Sequence, residues 1–292
     1  MEAKQMVERE TFFGSDRRYR LFTAVKYFTY ALLCVNVYLF LQEELSALQH
    51  TFTHGVAPAQ LIQVFAATID TAAWVVLLLL FELETSVLDD SRIRGGVRLS
   101  LHGIRGVCYV AIVYAFTGYY AELVTLYQNS ALATGDACSL LGQPWSVLVD
   151  LDEYVPLDAG NCAGLGAELY RIDGFDILAD AGQLFDAQLL AWTDLINSGA
   201  WILVVVVLEI EVRMQLRGGL SERAMQVNKY VKFALYFTLF AAAAYWGVAG
   251  DFLDFWDAAL WLFAFIFIEL NVFEWQYETR VGEGVEGASA TA

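Results

Sequence analysis

The sequence predicts an all-α, polytopic membrane bundle of six transmembrane helices, built as three repeated helical hairpins and carrying a disulfide-closed external loop segment. Three observations predict it. Hydrophobic residues make up 58% of the 292 and charged residues 17%, whereas a soluble domain is nearer half apolar and a quarter charged. The mean hydropathy is +0.49. Six apolar segments are long enough for a bilayer, which needs roughly 20 residues. Polar and aromatic residues in these segments repeat in a common register. So much apolar and aromatic material excludes a disordered chain. A balance of 17 basic against 34 acidic residues, a formal charge of -17, excludes a nucleic-acid binder.

The spans are placed near 21–42, 61–83, 103–127, 188–210, 230–250 and 255–275. The first reads as a retained signal anchor, because its apolar run is long and no small-x-small site follows before Gln42-Glu43-Glu44. Orientation follows from Lys and Arg, which accumulate on the cytoplasmic side. With the N-terminus inside, 16 of the 17 lie in cytoplasmic segments or at the cytoplasmic ends of spans, and Arg171 alone is external. The expected location is the inner (plasma) membrane, with both termini cytoplasmic. The domains are then 1–20 (cytoplasmic segment), 21–128 (helices one to three), 129–187 (external acidic cap), 188–275 (helices four to six) and 276–292 (flexible cytoplasmic tail).

The even spans share the pattern [DN]-x3-W-x7-E-x-[EN]. Asp70, Trp74, Glu82 and Glu84 form the first copy. Asn197, Trp201, Glu209 and Glu211 form the second, and Asp257, Trp261, Glu269 and Asn271 the third. The odd spans open with [VI]-[KR]-x3-Y, at Lys26 and Tyr30, Arg105 and Tyr109, and Lys232 and Tyr236. Trp74 to Arg105 and Trp201 to Lys232 are both 31 residues, so the cytoplasmic connections have equal length and the insertions lie outside.

Ionisable groups at bilayer depth are costly and face protein, a partner or water. Asp70 and Glu84 are 14 residues apart and share a helix face, as do Asn197 with Glu211 and Asp257 with Asn271. Two polar layers result, separated by about 21 Å of helix rise. The pathway candidates are Asp70, Asn197 and Asp257 in the outer layer and Glu84, Glu211 and Asn271 in the inner. Glu82, Glu209 and Glu269 point about 160° away from their neighbours and are expected to form an ion-pair ring with Lys26, Arg105 and Lys232. A ring of pairs reads as structural. The outer layer has no basic residue near it in sequence, and it is what raises a pathway for a cation or proton.

The cap segment 129–187 holds ten acids against Arg171. Cys138 and Cys162 lie in it on the oxidising side. A disulfide across their 24-residue separation would restrain the unfolded loop by roughly 3 kcal/mol. Cys34 and Cys108 read as small apolar fillers within spans. Asp150-Leu151-Asp152-Glu153 and Asp173-Gly174-Phe175-Asp176 bring oxygens together as Ca²⁺ requires, without EF-hand spacing, and read as solvated acidic surface. His50 and His54 stand at i, i+4, with Glu43 or Glu44 as the only further ligands in reach, and read as an interfacial pair. No haem-ligating, metalloprotease, nucleophile-elbow, phosphate-loop or dinucleotide pattern occurs, so neither an enzyme nor a cofactor is expected. The three-hairpin plan invites comparison with mitochondrial carriers, but their Pro-x-[Asp/Glu]-x-x-[Lys/Arg] signature is missing and no family is assigned.

The function these residues imply is an ion (cation or proton) or small-solute pathway through acid-lined hairpins. The alternatives are a non-transporting accessory or scaffold subunit of a membrane complex, and a sensor with a ligand-binding cap. The expected partners are the lipid bilayer and an inorganic cation or proton, with a homo-oligomer or a membrane-complex partner left open.

Overall fold

The computed structural model describes residues 16–52, 55–88, 94–133, 135–216 and 222–267. It is mostly helical. The long helices are α1 (Asp16–Thr51), α3 (Ala66–Glu82), α4 (Gly96–Tyr127), α5 (Ala181–Leu216) and α6 (Glu222–Ala249). A short α2 (Leu61–Val64) precedes α3, and α7 covers 252–267. Among the described residues, five helical stretches are long and apolar enough to cross a membrane: Arg17–Thr51, Ala66–Thr85, Gly96–Tyr127, Ala181–Glu211 and Arg223–Ala249. The sixth expected span coincides with α7 up to residue 267, and its remainder, with Glu269 and Asn271, lies outside the described residues.

Large apolar side chains cover the outer faces of these helices. Phe28, Val110, Phe233 and Val248 are all exposed. In water such a surface would be an aggregation liability. Against acyl chains it is the expected finish of a multi-span membrane protein.

The chain divides into two units, one of residues 36–255 and one of the segments up to 35 and from 256. In the latter, Phe22 meets Phe267 edge-on at 5.6 Å, and the Lys26 ammonium lies over the rings of Tyr27 and Phe22 at 4.9 and 5.9 Å. Cation–π contact of this kind offsets part of the cost of burying an ammonium.

In the larger unit, α3, α4, α5 and α6 pack in sequence order. The repeat-equivalent Trp74 and Trp201 meet, their ring centroids 6.0 Å apart. Cys108 is buried with Ala73 and Ile112 beside Trp74. At the other end of α4 a missing side chain permits close approach. A Cβ on Gly118 would overlap the Ile62 carbonyl oxygen and stand 2.9 Å from the Ala66 Cβ.

The cap corrects the all-α expectation. Residues 129–180 form a five-stranded sheet rather than a loop. Its strands are β1 (Asn129–Ala131), β2 (Ser146–Leu148), β3 (Tyr154–Pro156), β4 (Leu169–Ile172) and β5 (Ile177–Asp180), in the order β1-β4-β5-β2-β3. The β2–β5 pair is parallel and the others antiparallel. Strands of three or four residues are too short for an alternating pattern to register. What holds them is a core of Val147, Leu157, Leu169 and Leu178 around the disulfide that joins Cys138 to Cys162, Cα to Cα 4.9 Å.

The cap is fastened to the helices by backbone chemistry. The Asp180 carboxylate accepts from the Gln183 N–H at 2.9 Å, and the Gln183 side chain accepts from the Asp180 N–H at 3.2 Å. This reciprocal capping box turns β5 directly into α5. The α6 helix ends at Gly250, whose φ of +100° only glycine adopts at low cost. Asp251 then accepts from the Asp254 N–H at 3.2 Å and starts α7.

The Gly118 contact makes a direct prediction. Gly118→Val should lower the unfolding temperature in detergent, because overpacking costs about 1–3 kcal/mol. Gly106→Ala, on the same helix with open space at its Cβ, should be neutral or stabilising by up to about 1 kcal/mol. Equal effects at both sites would contradict this packing.

Candidate functional site: an acid-lined chamber under the cap

Glu44, at the cap end of α1, is buried at 7% exposure. Its carboxylate accepts from the backbone N–H groups of Ala67 and Thr68, at 2.8 and 3.2 Å, and from the Thr68 hydroxyl. These N–H groups belong to the first turn of α3, where helices leave donors unsatisfied and carry partial positive charge. Phe65, the residue before α3, supplies no side-chain cap. A carboxylate from another helix therefore does the capping.

Glu44 also lines a cavity of about 60 Å³ with Glu122 of α4, Asp152 of the cap, Gln63, Thr125 and Tyr154. That is room for a few water molecules. Three carboxylates from three separate parts of the chain thus share one small chamber. Asp152 is central to a wider set, because Glu43, Glu44, Glu122 and Asp194 each feel its charge. Asp194, on α5, accepts from the Trp246 indole N–H at 3.1 Å.

Burial first, and then the charges of Asp251 and Asp150, push the Asp152 carboxyl up to about 7. Burial also raises Asp150, with Asp251, Glu153 and Asp186 adding to it, although its bond from the Leu151 N–H opposes the shift. The Tyr154 phenol is held well above its ordinary range by burial and by Asp152 and Glu122. Like charges crowded at low dielectric favour proton uptake.

The cap is pinned above the chamber by His50. Its Nδ1 is 3.0 Å from the Ser146 hydroxyl, and its ring stacks on Tyr154 at 6.4 Å. His54 lies outside the described residues. Among the described residues no three His, Cys, Asp or Glu side chains converge as metal ligands. The acids read from sequence as a Ca²⁺ alternative are otherwise engaged: Asp173 accepts from the Ser130 hydroxyl at 2.6 Å, and Asp176 pairs with Arg171 at 3.3 Å.

The other sequence-selected residues fall as follows. Asp70 on α3 is buried, Asn197 on α5 is half-buried, and Asp257 on α7 is half-buried in the smaller unit. At the opposite end of the bundle the ion pairs differ from the expected ring. Arg105 bonds Glu84 at 2.7 Å and Lys232 bonds Glu211 at 2.7 Å, rather than Glu82 and Glu209. Glu209 instead pairs with Arg213 one turn along its own helix, at 2.8 Å. Glu82 is buried, as is Lys26. The chain after Glu82 winds into a π turn, Leu83–Val87, which shifts the phase of the following side chains and accompanies the selection of Glu84.

Glu122, Asp194 and Asp254 were not selected from sequence. A signal was present, since Glu122 and Asp194 are acids inside apolar spans with no Lys or Arg within a helical turn or two. Comparison with protein-family models, with curated proteins and with solved structures returns no match for this chain.

Two predictions follow from these sites. Asp152 binds a proton more tightly in the folded than in the unfolded state, so its contribution to stability is fully present only below about pH 4. That contribution falls as pH rises towards 7 and is constant above about 8. Thermal unfolding of Asp152→Asn against wild type should therefore show the variant gaining relative stability from pH 4 to pH 8. A difference flat across that range would contradict the assignment.

For the half-buried Arg105–Glu84 pair, removing either partner should cost roughly 1–3 kcal/mol, and removing both should cost less than the sum. Lys232–Glu211 should behave alike. The exposed Glu209–Arg213 pair should show coupling of only about 0.3–0.5 kcal/mol. Double-mutant cycles by unfolding in detergent measure all three.

Proposed function

We propose that this multi-span membrane protein forms a pathway for protons or another small cation, entered through the acid-lined chamber beneath the external cap. The observation that carries the reading is the cavity shared by Glu44, Glu122 and Asp152. Carboxylates that line one small space disfavour one another's charge, which favours binding a proton or sharing a cation. Proton exchange is the favoured form, since no three ligands converge on a metal among the described residues.

The continuation inward runs through Asp70, with Asn197 as a repeat equivalent and the Glu84–Arg105 and Glu211–Lys232 layer as the inner boundary; Asp257 is the third equivalent in sequence. An arginine or lysine in such a layer disfavours cation passage unless its carboxylate partner compensates. Those same pairs support a second reading, in which the protein is an accessory or scaffold subunit and the charge layer locks its helices together. The cap, closed by Cys138–Cys162, would be external and oxidised in either case.

The test is flux in proteoliposomes under an imposed proton gradient. Wild type should dissipate the gradient. Asp70→Asn, Asp257→Asn and Glu122→Gln should each fold, judged by unchanged elution and circular dichroism, and pass at least about tenfold less, the equivalent of about 1.4 kcal/mol in the barrier. Folded wild-type protein that passes neither protons nor alkali cations at any pH or voltage overturns the pathway and leaves the scaffold reading.

A further inference from the structure

At the opposite end of the larger unit a groove of about 620 Å³ opens between α4 and α5. We propose that it holds one anionic phospholipid, with an acyl chain along its apolar wall and the phosphate at Arg213 and His102. This goes beyond the pathway reading and does not depend on it.

The wall is built from Ile112 and Val113 of α4 and from Ile202, Val205 and Val206 of α5, with Trp74 of α3 among the lining residues. Val113 and Val206 are about half exposed, so the groove faces the outside of the helices. The volume lies within the range of small-molecule sites. A void of this size cannot stay empty in a bilayer, because its lining would forfeit its dispersion contacts.

Dimensions select the occupant. The lining runs from His102 to Val113 on α4 and from Ile202 to Arg213 on α5. Each stretch is about 16 Å of helix rise, or about half of a 30 Å hydrocarbon core. The groove therefore matches one leaflet.

Its polarity is also graded like a lipid. The apolar residues lie toward mid-bundle, and His102, Arg105 and Arg213 lie at the end where α4 begins and α5 runs out. Arg98, exposed, adds a further charge there, its carbonyl 2.9 Å from His102 Nδ1. The cations of this rim are Arg98, Arg105 and Arg213; His102 gives its Nδ1–H to the Arg98 carbonyl, so its imidazolium form is the one with a second N–H, at Nε2, for a phosphate. The carboxylates beside them are Glu84 and Glu209. Arg213 reaches Glu209 through Nε, and a guanidinium has five donors in all, enough to serve a phosphate as well. Basic pockets between helices at this depth recognise anionic headgroups. A zwitterionic lipid would bring a second cation to a basic rim.

The experiment is native mass spectrometry of the full chain in detergent, titrated separately with phosphatidylglycerol and phosphatidylcholine. One phosphatidylglycerol should be retained in preference to phosphatidylcholine. Arg213→Gln and His102→Gln should each weaken phosphatidylglycerol retention by about fivefold and narrow its preference over phosphatidylcholine. Val206→Trp, which fills the groove from its exposed side, should abolish the adduct. The arginine and histidine variants test the site even if the tryptophan variant misfolds. Equal retention of the two lipids, or an adduct that survives Val206→Trp in folded protein, overturns the proposal. So does a lipid-free dimer that Val206→Trp disrupts, which would make a second copy the occupant.

Discussion

A charge inside a bilayer must have a partner, a proton or water, and the two ends of this protein meet that demand in different ways. At the basic end, Glu84 pairs with Arg105 and Glu211 with Lys232, both at 2.7 Å and both across 21 residues of chain. The two pairs join successive helices, α3's continuation to α4 and α5 to α6. Each is a charged clasp between consecutive helices. The Trp74–Trp201 contact adds an apolar link between α3 and α5.

Among the described residues, Arg171 is the one Lys or Arg of the cap. Glu44 is satisfied by the first turn of α3, and Asp194 by the Trp246 indole. Hydrogen bonds of this kind stabilise the carboxylate that accepts them, and Glu122 and Asp152 line the chamber beside Glu44. The turn between β2 and β3 brings Asp152 to the cavity that Glu44 and Glu122 line. Outside the spans, burial and the charges of Asp251 and Asp150 raise the Asp152 carboxyl to about 7.

Much of this was legible in the sequence. The apolar runs mark the helices, and the two cysteines in the acidic segment mark the cap. The acids at the ends of the even spans and the basic residues that open the odd spans are plain in the sequence. The choice between the two acids of each E-x-E was not legible, because side chains 160° apart can serve either neighbour and the π turn after Glu82 is invisible in composition. The reach of α1 to Thr51 was missed at Gln42-Glu43-Glu44, where hydropathy drops but Glu, Leu, Ala and Gln keep helical propensity. The chamber was missed for a related reason. Glu44, Glu122 and Asp152 are far apart in the chain, and only the folding of the short strands brings Asp152 to the other two.

The proposed pathway requires the clasps to lie on the cytoplasmic side and the acid chamber outside, and topology tests that most directly. Paired periplasmic and cytoplasmic reporters fused after Gln128 and after Gly250 should be active as external reporters, and fusions after Gly95 as cytoplasmic ones. A cytoplasmic signal from the Gln128 fusion would place the cap, its disulfide and the chamber on the wrong side of the membrane and contradict the whole scheme.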